Sequence, residues 1–446
     1  MNSLEVSKSL GLIHEGKPFL IKDVFFDSRE PVKDALFVAI KGEKTDGHLY
    51  IKNLLNENIA GFLVREDFDC KEILAKGKSC LKAKDTIKAL QDIASLKRNS
   101  LKANVVAIAG SAGKTTTKEL IAHVLPGKVH KTYKNFNSQI GLPKVVITAD
   151  NDIDYLVLEM GATALEDVKK LTNIAKQHIG VISSIGEEHL ESFGSIENVV
   201  KGNFEVFDSP NLLSGVYPKA FHSFYKKEYG LSFCRFRDDA DIRVKNVYID
   251  EEGTHFEIMG VRFTIPVLSI GIAESAAAAV GVLASFGIDW KELKDRFESF
   301  KGVQGRMQLI KKGPFRIIDD TYNANPVSVR NAILTIDSFK DFNKIIVLGD
   351  MLEMGEYSKA LHEKVGAMLK SSHINNVYLY GSDMKYAYDV LKLSNKEVFY
   401  FDNQEDLSFH LVKSLKQKTD TNTMILVKGS RGMKMENVVD RLVNGL

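Results

Sequence analysis

The stretch Asn104-Val105-Val106-Ala107-Ile108-Ala109-Gly110-Ser111-Ala112-Gly113-Lys114-Thr115-Thr116-Thr117 decides how the chain is read. Its first six residues are a continuous apolar run rich in β-branched side chains. That is the pattern of a parallel strand buried on both faces. In the turn that follows, glycines let the backbone fold back and aim its N–H groups at an anion. A helix is expected from Lys114 to about Val124, with the positive end of its dipole at the turn. Strand, glycine turn and helix in this order make a phosphate loop. Lys114 reaches the β- and γ-phosphates, and Thr115 offers its hydroxyl to Mg²⁺. The full pattern GxxxxGK[ST] needs glycine at 108, where this chain has Ile108, so the match is the shorter GxxGKT. The plain alternative is a strand–helix turn that binds nothing, and the ordered context weighs against it.

Working outward, residues 155–158 and 179–183 repeat the buried-strand pattern. Strands of this kind alternating with helices imply an α/β fold with a doubly wound, mostly parallel central sheet. Residues 210–266, richer in aromatic and alternating segments, read as an antiparallel appendage, and 274–286 as an alanine-rich helix. Short apolar runs at 24–26, 35–40 and 61–64 around a helix at 51–58 read as a small α/β unit. A helix is expected over 85–97. A third, Rossmann-like α/β unit follows, with strands expected at 316–318, 344–348, 377–380 and 424–427. Three domains are expected, at 1–85, 86–303 and 304–446. That agrees with a length greater than one hydrophobic core usually serves.

The formal charge of +2 lacks the basic excess of a nucleic-acid binder. Three cysteines, Cys70, Cys80 and Cys234, form no CxxC pair, so neither a disulfide framework nor a zinc site is expected. No basic leader precedes an apolar segment, and no apolar run approaches the ~20 residues of a membrane span. The expectation is a cytoplasmic protein without nucleic acid or membrane insertion.

Other segments fall in a telling order. They are Asp27-Ser28-Arg29 with LFVAIKGEKTDGH, and Asn135-Phe136-Asn137. Then come Glu159-Met160-Gly161-Ala162, HLESFGS from His189, Gly305-Arg306, DDTYNANP from Asp319, LGDMLEMGE from Leu348 and KGSRGMKME from Lys428. With GSAGKTTTKE, this set resembles the Mur ligases, which build the peptide of bacterial peptidoglycan. DDTYNANP followed by LGDMLEMGE resembles the member that adds a dipeptide. The resemblance implies that ATP phosphorylates the terminal carboxylate of a UDP-muramoyl tripeptide. The amine of D-alanyl-D-alanine then attacks the acyl-phosphate. Such chemistry depends on positioning and charge neutralisation more than on a protein nucleophile.

The resemblance also implies roles. Gly110, Ser111, Ala112, Gly113, Lys114, Thr115 and Thr116 hold phosphate, and Thr115 and Glu159 hold Mg²⁺. His189 holds a second Mg²⁺. Asn135 and Asn137 lie near the γ-phosphate and substrate, and Arg306 reaches ATP phosphate from the third domain. Asp320, with Asn325 in its loop, holds the ribose. Asp350, Lys428, Ser430 and Arg431 help bind the dipeptide; Ser28, Arg29, Lys41, Asp46 and His48 form the UDP-sugar pocket. Glu159, Lys114, His189 and Arg306 make up the catalytic set. For each the alternative is ordinary: a capping acid for Glu159, Asx turns for the asparagines, solvated groups for the rest.

Two departures stand out. Mur ligases generally carry a lysine after HLxxFGS that is carbamylated by CO₂ and helps hold the second Mg²⁺. Aligned without gaps, that position is Asn203 here; Lys201 lies about 200° around the helix. Asn203, or water held by it, is read as the replacement ligand. Where the family has adenine-contacting residues, this chain has Gly271, Ile272 and Ser275. The competing readings are another amide ligase of the superfamily, a P-loop motor or transport ATPase, and an inactive nucleotide-binding module. Motor and transport ATPases usually show a full Walker loop and a strand ending in Asp.

Overall fold

The computed structural model describes residues 1–417 and 422–446 and contains three sheets, each flanked by helices. The first has five strands in the order Ile13–Glu15, Cys80–Ala83, Gly61–Arg65, Leu36–Val38 and Val24–Phe25. Only its Ile13–Glu15 edge is antiparallel. The helical reading of 51–58 was too long. A 3₁₀ turn, Gly47–Tyr50, runs into a single helical turn, Ile51–Leu54. Cys70 and Cys80, ten residues apart in the chain, are both buried here as free thiols.

The helix Thr86–Ser100, capped by the Asp85 carboxylate on the N–H groups of Ile87 and Lys88, leads to the second sheet. That sheet has nine strands. Asn104–Ala109 lies near its middle, paired in parallel with Tyr155–Glu159 on one side and Ile179–Ile182 on the other. Val105 through Ala109 are fully buried, as the apolar run requires. The reading of 210–266 as an antiparallel appendage is corrected. Ser214–Pro218, Gly230–Cys234 and the start of Ile242–Ile249 extend the parallel array. Only the hairpin Thr254–Ile258 and Val261–Ile265 runs antiparallel. The alanine-rich helix Ile272–Ser285 is almost wholly buried. Small side chains let it lie close against Lys114–Val124, the helix that follows the phosphate loop.

The third sheet has six strands, ordered Gln308–Lys312, Phe315–Asp320, Thr423–Lys428, Asn343–Gly349, Asn376–Tyr380 and Glu397–Phe401. All pairs but the first are parallel. No helix among the described residues is long and apolar enough to cross a membrane.

Parallel sheets of this kind open a crevice at the carboxyl ends of their strands. Those ends of the second and third sheets face each other across several contacts. Asn325 Nδ2 donates to the Ser111 carbonyl at 3.1 Å. Lys364 pairs with Glu187 at 3.1 Å, and Tyr357 donates to the Gly194 carbonyl at 3.2 Å. The third sheet's own loops are tied down by Asp350. One of its oxygens accepts from the N–H groups of Asp383 (3.1 Å) and Met384 (2.7 Å), at the start of the helix Met384–Leu391. Asp350 is 3% exposed, which turns a residue expected to touch substrate into a helix anchor. Asp350→Ala should therefore lower unfolding free energy by about 1–3 kcal/mol, because two N–H donors, that of Met384 fully buried, lose their acceptor. Urea denaturation checks this. A variant of unchanged stability that has lost affinity for the dipeptide would return Asp350 to the substrate side.

Candidate active site

The phosphate loop leaves the sheet at Gly110, whose φ of 134° and tight surroundings exclude a side chain. A Cβ there would sit 2.4 Å from Ser183 Oγ. Ile108 still belongs to the strand and is paired in register with Glu159. The missing glycine at 108 therefore reflects a longer strand and a shorter loop. The neighbouring strand end clamps the loop from below. Ser111 N–H donates to the Ser184 carbonyl (2.7 Å), Ala112 N–H to Ser184 Oγ (3.2 Å), and Ser183 Oγ to the Ala112 carbonyl (2.8 Å). Lys114–Val124 starts at Gly113, at φ 78°, with no side-chain cap. Its first N–H groups are thus left for an anion, as in phosphate-binding turns.

A cavity of about 620 Å³ opens above this helix end. Ser111, Ala112, Gly113, Lys114, Thr115 and Thr116 line it, with Asn137, Glu159 and His189 from the second sheet. Arg306, Asp320, Asn325 and Lys428 enter from the third. Register places Glu159 at the strand end beside the loop, and it is 5% exposed. Thr115 Oγ1 donates to one of its oxygens and Asn137 Nδ2 to the other, both at 2.9 Å. Lys118 Nζ is 3.8 Å away. A carboxylate and a hydroxyl beside a phosphate loop are the hard oxygen donors that Mg²⁺ takes. The Lys114 ammonium donates to the Gly110 carbonyl and lies 3.4 Å from both oxygens of Glu188. It is largely buried rather than free in solvent.

His189 has a left-handed backbone (φ 49°), uncommon for a non-glycine residue. Its Nδ1 lies 2.7 Å from Glu353 Oε2, a carboxylate of the third unit that is also left-handed (φ 65°). The Arg306 guanidinium stacks 4.2 Å over the Tyr322 ring. Its Nε is buried without a partner among the described residues, so its charge is available to a ligand. Asp320 accepts from Lys428 Nζ at 2.7 Å and from Met307 N–H at 3.2 Å. Lys428, 2% exposed, also donates to the Asn323 carbonyl. It was expected to meet the dipeptide; here it lines the cavity and orients Asp320.

The remaining candidates lie outside the cavity. Ser430 is buried between the Ala324 carbonyl and Leu352 N–H. Arg431 is exposed and pairs with Glu436. Asn135 is exposed in the loop before Asn137, and Gly110 is buried. In the first sheet, Arg29 is exposed beside its own Asp27, and Lys41 is exposed, while Ser28 is half-buried. Arg29 holds the Asp27 carboxyl down to about 2. His48 is buried, with Nδ1 against Asp46 at 2.6 Å and Nε2 accepting from Arg65 N–H. Asp46 and His48 thus hold their own turn.

Sequence reading missed Glu188, Tyr322 and Glu274, all of which line the cavity. Burial pushes the Glu188 carboxyl above its usual range, while Lys114 pulls it back. Burial likewise raises Glu274, against the pull of Arg235 and Arg330. The available signals were adjacency to His189, membership of DDTYNANP and the start of the alanine-rich helix. Of the adenine-aligned positions, Gly271, Ile272 and Ser275 do line the cavity, and Ser275 Oγ bonds Thr117 Oγ1 at 3.0 Å.

Asn203 is not a cavity residue. Its Oδ1 accepts the Gly110 N–H at 2.7 Å and its Nδ2 donates to the Val199 carbonyl at 2.9 Å, both buried. The reading of Asn203 as a replacement metal ligand is corrected: its carboxamide is used at both ends to moor the phosphate loop. Lys201 is exposed on the far face of the helix.

Three family models match in order along the chain. The Mur ligase family catalytic domain covers residues 20–98, the Mur ligase middle domain 108–283, and the Mur ligase glutamate ligase domain 305–431. The UDP-N-acetylmuramoyl-tripeptide–D-alanyl-D-alanine ligase of Bacillus subtilis is 32% identical over 439 residues, covering 95% of this chain and 93% of that protein. The chain belongs to the Mur ligase family. Among solved structures, MurF ligase from Thermotoga maritima in complex with ADP superposes with a TM-score of 0.82 at 26% identity, covering 95% of this chain and 97% of that one. MurF from Acinetobacter baumannii reaches 0.90 at 23% identity, covering 99% and 98%, a likeness of fold. The Mur ligase three-sheet α/β architecture is thus that of this chain, and family membership makes it a ligase.

The mooring role of Asn203 is open to measurement. Asn203→Ala leaves the Gly110 N–H buried without an acceptor, a cost of about 1–3 kcal/mol. It should lower the melting temperature and weaken ADP binding together. Calorimetric titration with ADP beside a thermal melt reads both, and an unchanged ADP affinity would refute the mooring role.

Proposed function

We propose that this Mur ligase joins D-alanyl-D-alanine to UDP-N-acetylmuramoyl-tripeptide at the expense of ATP, in the cytoplasm and as a monomer. The observation that carries the reading is the single cavity lined by the phosphate loop and Glu159 from one sheet and by Arg306 and Asp320 from another. Full-length similarity to ligases of that name, and the segment DDTYNANP inside the cavity wall, favour this member over its relatives. The proposed division is 1–85 for the UDP-sugar, 86–303 for ATP, and 304–446 for the dipeptide and for closure over ATP.

In the first step the tripeptide carboxylate oxygen bonds to the γ-phosphorus as the bond to the ADP oxygen breaks. In the second, the dipeptide amine bonds to the acyl carbon, inorganic phosphate leaves and the amine proton is lost. Lys114 turns from the Gly110 carbonyl to the β- and γ-oxygens, and the uncapped helix N-terminus takes the remaining charge. Arg306, stacked on Tyr322, meets phosphate from the opposite wall, where its fixed charge suits it. Asp320, oriented by Lys428, accepts from the ribose hydroxyls. Thr115 and Glu159 would hold Mg²⁺, with Asn137 orienting the carboxylate; the ion supplies neutralisation of phosphate charge. Arg431 is the exposed cation left to pair with the dipeptide carboxylate. Ser28, Arg29 and Lys41 remain for the UDP-sugar.

Phosphate release should require ATP, UDP-muramoyl tripeptide and D-alanyl-D-alanine together. Lys114→Ala should abolish it, by at least about 100-fold on the scale of losing a charge-stabilising contact, with a thermal melt that is lowered, because Glu188 loses its cation, but still cooperative. Turnover of ATP without either acceptor would favour an ATPase instead. Since asparagine cannot react with CO₂ and Lys201 points to solvent, activity should not change between CO₂-depleted buffer and buffer with bicarbonate. A marked rescue by bicarbonate would locate a carbamylated lysine elsewhere.

A further inference from the structure

Glu188 has no task in the mechanism above, yet it is the carboxylate paired with Lys114 among the described residues. Both of its oxygens lie 3.4 Å from Lys114 Nζ, and its side chain is 12% exposed and lines the cavity. When nucleotide fills the loop, Lys114 turns to the phosphate. Glu188 is then a buried carboxylate without its cation, beside a group of the same charge. Removing one partner of a buried pair is strongly destabilising, and like charges repel hardest where the dielectric is low. A second cation at the site resolves both conflicts.

His189 supplies the other half of the argument. Its Nδ1 faces Glu353 Oε2 at 2.7 Å, so that carboxylate takes the Nδ1 side of the ring and Nε2 is the nitrogen left for another partner. Nε2 lies 3.9 Å from Glu188 Oε1. A histidine whose far nitrogen is fixed by a carboxylate is the usual arrangement around a metal. Asn203 cannot contribute, since its carboxamide is consumed at both ends.

We propose that Glu188, with His189 oriented by Glu353, ligates a second divalent cation that serves the terminal phosphate. Glu188 thereby supplies the anionic oxygen that position 203 does not offer. Glu353 comes from the third unit, so its approach to His189 couples closure of the cleft to formation of this site. The proposal rests on the ATP and magnesium reading given above.

The test uses Mn²⁺ as the probe and the full chain, saturated with UDP-muramoyl tripeptide and an ATP analogue carrying a methylene between the β- and γ-phosphorus. Free Mn²⁺ is read by electron paramagnetic resonance and corrected for binding to free nucleotide. Wild type should bind two Mn²⁺. Glu188→Gln should keep one at wild-type affinity and weaken the other at least about 10-fold, with nucleotide still bound. Glu353→Gln should weaken the same site. Glu188→Asp, which keeps the charge, should retain two ions, and this variant decides the matter if Gln at 188 fails to fold. Two ions of unchanged affinity in Glu188→Gln would make Glu188 only a counter-ion to Lys114 and overturn the proposal. One ion in both wild type and variant would also overturn it while leaving the nucleotide reading intact. No Mn²⁺ bound by wild type would overturn both.

Discussion

Everything in the cleft depends on holding one backbone loop rigid while leaving the N–H groups of the helix start that follows it unsatisfied. An anion-binding turn works only if its donors point at empty space, and empty donors favour collapse onto nearby acceptors. Here the collapse is prevented from outside the loop. Ser183 and Ser184 hold Ser111 and Ala112 from the next strand. Asn203 takes the Gly110 N–H from a helix, and Asn325 takes the Ser111 carbonyl from the third sheet. The groups behind the phosphate site are filled, and the uncapped end of Lys114–Val124 is left open.

The same economy governs charge. Most ionised side chains in the cleft have a protein partner: Lys114 with Glu188, Asp320 with Lys428, and Glu159 with Thr115, Asn137 and more distantly Lys118. Among the described residues Arg306 is the exception, its charge set against the face of Tyr322. A cleft arranged this way exchanges partners when a polyanion enters, which lets strongly charged groups stay buried in both states. Because the partners come from two sheets, the exchange is also mechanical. His189 with Glu353, Lys364 with Glu187 and Asn325 with Ser111 bind the two units across the substrate space. Nucleotide traffic requires these contacts to open.

How legible this was differs from residue to residue. The strand Asn104–Ala109 and the helix Lys114–Val124 have the bounds read from the sequence, because a run of buried apolar residues, a glycine turn and a helix start are local signals. Ser214–Pro218 and Gly230–Cys234 were misread as antiparallel, since strand direction depends on which neighbour the chain returns to. Asp350 and Lys428 were assigned to the dipeptide by resemblance, which carries no information about burial. Both turned out to be buried and committed, one to a helix start and one to Asp320.

The sequence by itself determined the order of the units, the phosphate loop, the acid at the end of the next strand and membership in a ligase family. Each of these is written in a contiguous segment, where spacing of a few residues fixes geometry. The absence of a lysine at 203 was equally plain. What Asn203 does, and that Glu188 stands against Lys114, was decided only by the tertiary structure. The Asn203–Gly110 and Glu188–Lys114 contacts join residues 93 and 74 positions apart. Whether a polar side chain there meets a backbone N–H, a lysine or open solvent depends on how the sheets pack. No local pattern carries that information, because hydrogen bonds and ion pairs are selected by distance in space.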